Sequence, residues 1–364
     1  MAFSERVVSH ATTVEFPGDV TGAIGDSVTV VPVVVALAAL SDVALAPVLV
    51  WFGVFQVVWG VRYGVPVSVE PMKALAALAI AGSLTAGGLA AAGLLAGGTL
   101  LVAGATGLLG RLSRFVGQPV VRGVQLAVAL VLFETAFGLA TTDVVLAGVA
   151  VAVAALVAVV SVRASALAVV VVGAALALVE TGGFAPTVPS FAFALPGPSL
   201  FLDAGTAQAA VGQLAMSVGN AAVATALLLE EYYGSEATAD DLATSMGAMN
   251  LLAVPLGAIP MCHGSGGVAG KYAFGARTAG ANVVLGVLYV LAAVFAVGVV
   301  AAFPVAMLGV VLAAVAAQLA HTSLDTDRYA ITLGVGAVGL FAGVGVAFFG
   351  GLVADRAYRR FYPS

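Results

Sequence analysis

VPVSVEPMK, residues 65–73, and VPLGAIPM, residues 254–261, are the stretches on which the fold turns. Both read Val-Pro-x-x-x-x-Pro-Met, at Val65, Pro66, Pro71 and Met72 and again at Val254, Pro255, Pro260 and Met261. Each lies between long apolar runs, and each is followed by a short helix-capable stretch with a lysine, Lys73 or Lys271, the only two in the chain. Proline lacks an N–H and pushes the residue before it toward extended backbone. The segment from Gly64 to Glu70 therefore reads as an extended strand, with Pro71 at the first position of a short helix from Met72 to Gly82. The second copy reads as extended from Val254 to Ile259, with Pro260 near the turn. In lipid such backbone survives only where it is buried or lines a cavity. Two such strands could pair and satisfy each other's polar groups. Paired Pro/Gly-interrupted segments in two halves point to a secondary transporter's binding site.

Composition sets the class. Hydrophobic residues make up 62% of 364 and charged residues 9%, with a mean hydropathy of +1.15. A soluble domain is nearer half apolar and a quarter charged. A bilayer span takes about 20 apolar residues, so the chain has room for roughly a dozen. Forty-five glycines suit close helix approach in a membrane bundle. The polar start with Glu5, Arg6 and Glu15 precedes an apolar run from Val20 that reads as a retained span rather than a signal peptide. The lone cysteine, Cys262, excludes an internal disulfide and a cysteine-based metal cluster. No soluble or nucleic-acid-binding domain is discernible, and no cofactor or metal ligand set is spaced to bind.

Apolar runs fall at 20–41, 43–61, 72–82, 84–109, 120–140, 143–161 and 164–180. They resume at 206–229, 240–256, 264–275, 279–302, 303–320 and 329–353, after a polar Pro/Gly/Phe stretch. This gives a first repeat, 1–180, a connector, 181–205, and a second repeat, 206–364. With a cytoplasmic N-terminus, Arg111, Arg114, Arg163, Arg277 and Arg328 fall inside, as the positive-inside rule asks. Arg356, Arg359 and Arg360 join them only if 329–353 is a hairpin of two short helices. The chain is then an all-α polytopic membrane protein of seven plus seven segments. An odd seven inverts the second half, giving an inverted repeat with two short half-helices preceded by extended strands.

Each short helix would bring its N-terminus, with free N–H groups and about half a positive charge, near mid-membrane. Two of them facing one cavity make an anion site. Gly264, Ser265, Gly266 and Gly267 would let backbone N–H groups approach a ligand. Ser68 and Ser265 offer hydroxyl donors, and Lys73 a full charge. SGGVAGKY, 265–272, resembles a P-loop, but Ser265 and Tyr272 stand where Gly and Ser/Thr are required, and no soluble strand precedes it. An ATPase is excluded on that ground. No Ser/His or paired-carboxylate constellation supports an intramembrane enzyme.

PVSVEPMKALAALA (66–79) and IPMCHGSGGVAGKYAFGARTAG (259–280), with Gly25-Asp26 and Gly219-Asn220, resemble the molybdate transporter family, relatives of the sulfate permeases. The resemblance implies a site domain from segments 1–4 and 8–11 and a gate domain from the remainder. It implies a tetrahedral dianion, molybdate with sulfate and tungstate as mimics, held between the short helices, with Pro71, Met72, Lys73 and the stretch His263 to Gly267 among its contacts. It implies a multi-pass protein of the cell membrane, in contact with lipid and able to form a homodimer, and the arginine distribution puts both termini on the cytoplasmic side. The family usually has Gln where this chain has Glu70. An acid beside a dianion must be paired with Lys73 or protonated, so Glu70 is a candidate proton-coupling group.

Other polar residues carry two readings each. Asp26 is a helix cap or a neighbour of the substrate or coupling ion. Asn220 orients the anion or makes an interhelical hydrogen bond, and Gln56 reads the same way. Glu134 is a proton relay, a gate element or a partner of Arg122. His263 is a hydrogen-bonding structural residue or a ligand. Lys271 and Arg277 read as interface anchors, and Arg111, Arg114 and Arg122 as a basic loop. The expected function is secondary active transport by alternating access, with sulfate transport or a passive anion channel as alternatives.

Overall fold

The computed structural model describes residues 14–162 and 164–361, so Glu5, Arg6 and Arg163 lie outside the described residues. The first half runs α1 (Gly18–Leu40), α2 (Leu45–Tyr63), β1 (Glu70–Pro71), α3 (Lys73–Ile80), α4 (Ala86–Ala105), α5 (Leu109–Phe115), α6 (Gln118–Ala140), α7 (Val144–Ala158) and α8 (Ser165–Thr181). After the connector come α9 (Pro198–Phe201), α10 (Ala204–Met216), a π-helical stretch (Ser217–Ala224), α11 (Thr225–Tyr233) and α12 (Ala239–Ala253). Then follow β2 (Met261–Cys262), α13 (Ser265–Ala273), α14 (Gly280–Phe295), α15 (Val297–Ala301), α16 (Val305–Ser323), α17 (Tyr329–Ala342) and α18 (Val344–Phe361). Among the described residues six helices are long and apolar enough to cross a membrane, counting Ala204–Tyr233 as one, and four shorter apolar helices accompany them.

Loop chemistry fixes many of the ends. Asp143 accepts from the N–H groups of Val145 and Leu146 at 3.0 Å. Thr238 and Asp241 form a capping box at the start of α12. Asp203 caps α10 by accepting from Thr206 N at 2.7 Å, and that bond holds its carboxyl below the usual range. The C-terminal hairpin that the arginines require is present. Gly343, at φ 91°, breaks the run between α17 and α18 in a backbone region that disfavours side chains. The second arm extends past residue 353 to Phe361.

The two halves interlock. α13 lies on α1, α14 on α2 and α12 on α4, while α16 and α17 pack on α6. At the centre β1 and β2 pair antiparallel, Glu70 opposite Cys262 and Pro71 opposite Met261. The expected strand pairing is therefore present, but its boundaries differ from those read in the sequence. Pro71 sits in the strand, and α3 starts at Lys73 with Met72 as its N-cap. Met72 N donates instead to Pro260 O at 2.9 Å. In the second half Val254–Leu256 is a 3₁₀ turn, not extended backbone, and α13 starts at Ser265, within a residue of the run read from 264 but later after its Pro-Met pair than α3. Asn250 explains the delay. Its Oδ1 accepts from Met261 N at 2.8 Å and its Nδ2 donates to Met261 O at 2.6 Å, holding that residue in the strand. Counted from the repeated Pro-Met pairs, the second helix starts three residues later than the first.

Candidate functional site: a charged cavity at the half-helix N-termini

Backbone carbonyls unwound at membrane depth need partners, and in the stretch before α3 side chains from three helices and from the loop after β2 supply them. Val67 O accepts from Lys271 Nζ at 2.6 Å and from Asn282 Nδ2 at 2.7 Å. Ser68 O meets His263 Nδ1 at 2.9 Å, and Val69 O accepts from Gln56 Nε2 at 3.2 Å. Behind this strand lies a buried polar network. Asp26 Oδ1 accepts from Ser68 Oγ at 2.5 Å, and Oδ2 accepts from Gln56 Nε2 at 2.9 Å and pairs with Lys271 Nζ at 3.2 Å. Lys271 also donates to Gln56 Oε1 at 2.9 Å and to Asn282 Oδ1 at 3.0 Å.

Two readings are thereby corrected. Asp26 lies eight residues inside α1, fully buried, and caps no helix. Lys271 is no interface anchor; its side chain is 0% exposed and ties α13 to α1, α2 and α14. The hydrogen-bonding alternative for Gln56 is what the geometry contains. Arg277, in contrast, lies in the loop between α13 and α14 with its guanidinium 4.0 Å from the Tyr272 ring centroid.

Glu70 is the hinge between network and cavity. It pairs with Lys73, and its Oε1 accepts from Gly267 N at 2.7 Å. Its carboxylate thus occupies the N-terminus of α13, as an anion would. The glycines there are a matter of space. A Cβ on Gly264 would overlap the Glu70 carboxyl, and one on Gly267 would overlap Asp26 Oδ1 and Ser68 Oγ and lie 2.6 Å from Glu70 Oε1.

In front of this network lies a cavity of about 210 Å³, lined among others by Lys73, Asn220, Ser265, Gly266, Gln125 and Thr29. That is smaller than the roughly 300–1,000 Å³ of sites for larger organic ligands, and suits a small ion. Ser265 Oγ donates to Asn220 Oδ1 at 2.9 Å, which leaves the Asn220 amide nitrogen free to donate. Asn220 sits in the π-helical stretch, a distortion that often marks functional sites. A wider cavity of about 660 Å³ shares Val28, Val315, Gln318 and Thr322 with the first and continues past Ser165 to His321.

Four of the sequence candidates, Lys73, Asn220, Ser265 and Gly266, line the cavity. Ser68, Glu70, Gly264, Gly267 and Asp26 form the layer behind them, and Pro71 and Met72 supply the strand end and helix cap. Three further residues stand apart from the cavity. His263 does not reach the cavity: it is fully buried, and its second ring nitrogen meets Ser245 Oγ at 2.7 Å. Glu134 is exposed on α6, and its suggested partner Arg122 binds Asp325 at 3.2 Å instead. Arg122 belongs to the second turn of α6, not to a loop. The reading that both helix N-termini are open to the cavity is also modified, because Ala74 N at the start of α3 is capped by Gln213 Oε1 at 3.0 Å. Gln125 and Gln213 went unnoticed in the sequence, where a lone Gln in an apolar helix follows no spacing.

The family model described as "Molybdate transporter of MFS superfamily" matches residues 18–132 and 205–319, one stretch in each half. Molybdate transporter 2 of Arabidopsis thaliana is 31% identical over 375 residues, covering 85% of this chain and 79% of that protein. Molybdate transporter 1 of the same plant is 33% identical over 365 residues, covering 85% and 80%. Among solved structures, the transmembrane domain of the cyanobacterium bicarbonate transporter BicA superposes with a TM-score of 0.65 at 16% identity, covering 95% of this chain and 99% of that one. Murine Solute Carrier 26 family member A9, an anion transporter in its inward-facing state, superposes with a TM-score of 0.72 at 12% identity, covering 99% and 72%.

Proposed function

The chain belongs to the molybdate transporter family, a family of multi-pass membrane transporters and not of enzymes, and on that premise we propose that it carries molybdate. The observation behind this reading is the cavity where the N-terminus of α13, Lys73 and the Asn220 amide converge on a space of about 210 Å³. A dehydrated dianion needs many donors, and these supply them with little mobile side chain.

Charge balance supports proton coupling at Glu70. Asp26, Glu70, Lys73 and Lys271 make two carboxylates and two ammonium groups, which cancel before any anion arrives. A dianion would leave two uncompensated negative charges in a low-dielectric site, which is costly. A proton taken up by Glu70 removes one of them and frees Lys73 for the substrate. The same proton empties the N-terminus of α13, because a neutral carboxyl competes weakly for Gly267 N.

The movement would be alternating access. α1 to α4 with α10 to α14 form the site body, and α6 to α8 with α16 to α18 the gate, in an inverted repeat. Family matches of equal length in the two halves support the repeat. Sulfate has the same charge and shape, so it is the second reading for the cargo.

Molybdate uptake into proteoliposomes, with and without an inward proton gradient and with tungstate or sulfate as competitor, tests this reading. The expected result is gradient-driven accumulation, blocked by tungstate, lost in Lys73→Ala and uncoupled from pH in Glu70→Gln. Equal competition by sulfate would shift the cargo to a general oxyanion. Flux without accumulation would mean a channel, and no uptake by folded protein would refute the substrate assignment.

A further inference from the structure

Gln125 lines the cavity from α6, where Lys73 lines it from α3 and Gly266 from α13, and it is 3% exposed. Its amide is not free to turn. Arg122, one helical turn earlier, donates from Nη1 to Gln125 Oε1 at 3.1 Å. Arginine has donors only, so the amide must present its oxygen to Arg122 and its nitrogen elsewhere. Arg122 is itself fixed, with Nε donating to Asp325 O at 3.1 Å and Nη2 to Asp325 Oδ2 at 3.2 Å. Asp325 follows the end of α16, so the clamp spans the two helices that pack most closely around this wall. Among the described residues no acceptor engages Gln125 Nε2, although the side chain is nine-tenths buried. The nitrogen is not one of the buried side-chain atoms left without a partner, so it keeps contact with open space, and the cavity that Gln125 lines is where an acceptor can meet it.

We infer that Gln125 is a ligand of the transported oxyanion and the residue that selects an oxyanion over a halide. This rests on the reading of the cavity as an oxyanion site. An anion with oxygens on opposite sides of its centre can meet Lys73 and the α13 N-terminus with one side and Gln125 Nε2 with the other. A halide, a single atom, cannot span that gap with directed acceptors. Arg122 acts as a positioning residue, holding the amide in its donating orientation.

The test is binding of molybdate, tungstate and chloride to the purified full chain in detergent, by titration calorimetry. Gln125→Met keeps the volume and removes the donor. It should weaken molybdate and tungstate by roughly 10- to 100-fold, the factor that one hydrogen bond to a charged group carries, and leave chloride unchanged. Gln125→Glu keeps the Arg122 contact but replaces the donor by an acceptor. It should weaken molybdate further than Gln125→Met does, whereas a merely structural Gln125 would make it the milder change. Arg122→Met should weaken molybdate binding on its own and have no further effect in the Gln125→Met background. Thermal unfolding of each variant identifies any that fails to fold, and the other Gln125 variant then decides. Molybdate binding as tight in Gln125→Met or Gln125→Glu as in the wild-type protein would overturn the inference alone. A wild-type protein that binds neither molybdate nor tungstate would overturn the cavity reading and this inference with it.

Discussion

Replacing Lys271 by Met separates a structural linchpin from an interface anchor. The ammonium has four acceptors, Val67 O, Gln56 Oε1, Asn282 Oδ1 and Asp26 Oδ2, at 2.6 to 3.2 Å, and no exposed surface. Two of them keep a second donor when it is removed, because Asn282 Nδ2 also reaches Val67 O and Gln56 Oε1. Asp26 keeps hydrogen bonds from Ser68 and Gln56 but loses its only counter-charge within salt-bridge distance among the described residues. Breaking such a buried pair from one side costs about 3–5 kcal/mol. An exposed anchor would cost no more than about 0.5 kcal/mol. At about 2.1 cal/mol/K per residue, 364 residues carry an unfolding entropy near 0.76 kcal/mol/K, so each kcal/mol moves the melting point by about 1.3 °C. Lys271→Met should therefore melt about 4–7 °C below the wild-type protein in the same detergent. Asp26→Asn leaves the ammonium three neutral acceptors and should cost less. Combined with Lys271→Met it should restore part of the loss, because no lone charge remains. A Lys271→Met protein melting within 1 °C of wild type, or a double variant no better than that single one, would refute the reasoning.

Gly267→Ala should abolish uptake and lower the melting point. Its methyl must displace Asp26 Oδ1, Ser68 Oγ and Glu70 Oε1, adding about 1–3 kcal/mol of overpacking to the loss of charge-assisted hydrogen bonds; wild-type uptake by this variant would contradict the packing argument. Cys262, the sole cysteine, is buried in β2 beside Pro71 and should resist maleimide in the folded protein and react fully in SDS. Rapid labelling of folded protein would mean that the strand pair opens readily.

The sequence revealed whatever depends on composition and spacing. Long apolar runs announced the spans, and the three terminal arginines demanded the hairpin that Gly343 makes. Proline spacing located both half-helices. It missed the 3₁₀ turn at Val254–Leu256 and the strand at Met261, because the residue that holds Met261 extended, Asn250, lies eleven positions away. Lys73, Asn220, Ser265 and Gly266 were legible because polar groups beside an interrupted helix have few other uses. The error over Glu134 had a signal against it. Ala129, Leu132 and Ala136 mark the buried face of α6 at helical spacing, and Glu134 is out of phase with them. Lys271 was misjudged because three of its four partners, Asp26, Gln56 and Val67, come from distant sequence.

The strand pair at the centre also bears on how the chain is made. α3 has eight residues, about 12 Å of helix against roughly 30 Å of hydrocarbon, and cannot span a bilayer alone. Val67 O, Ser68 O and Met72 N find their partners in Lys271, His263 and Pro260, all made about 200 residues later. During synthesis the first half therefore emerges with open backbone groups at membrane depth, which the insertion machinery or trapped water must shield until the second half arrives. Neither half expressed alone should persist, whereas the two co-expressed as separate chains carry every bond that joins them. Completion of the fold is thus a late event in translation, and the cavity between the halves is assembled only when it occurs.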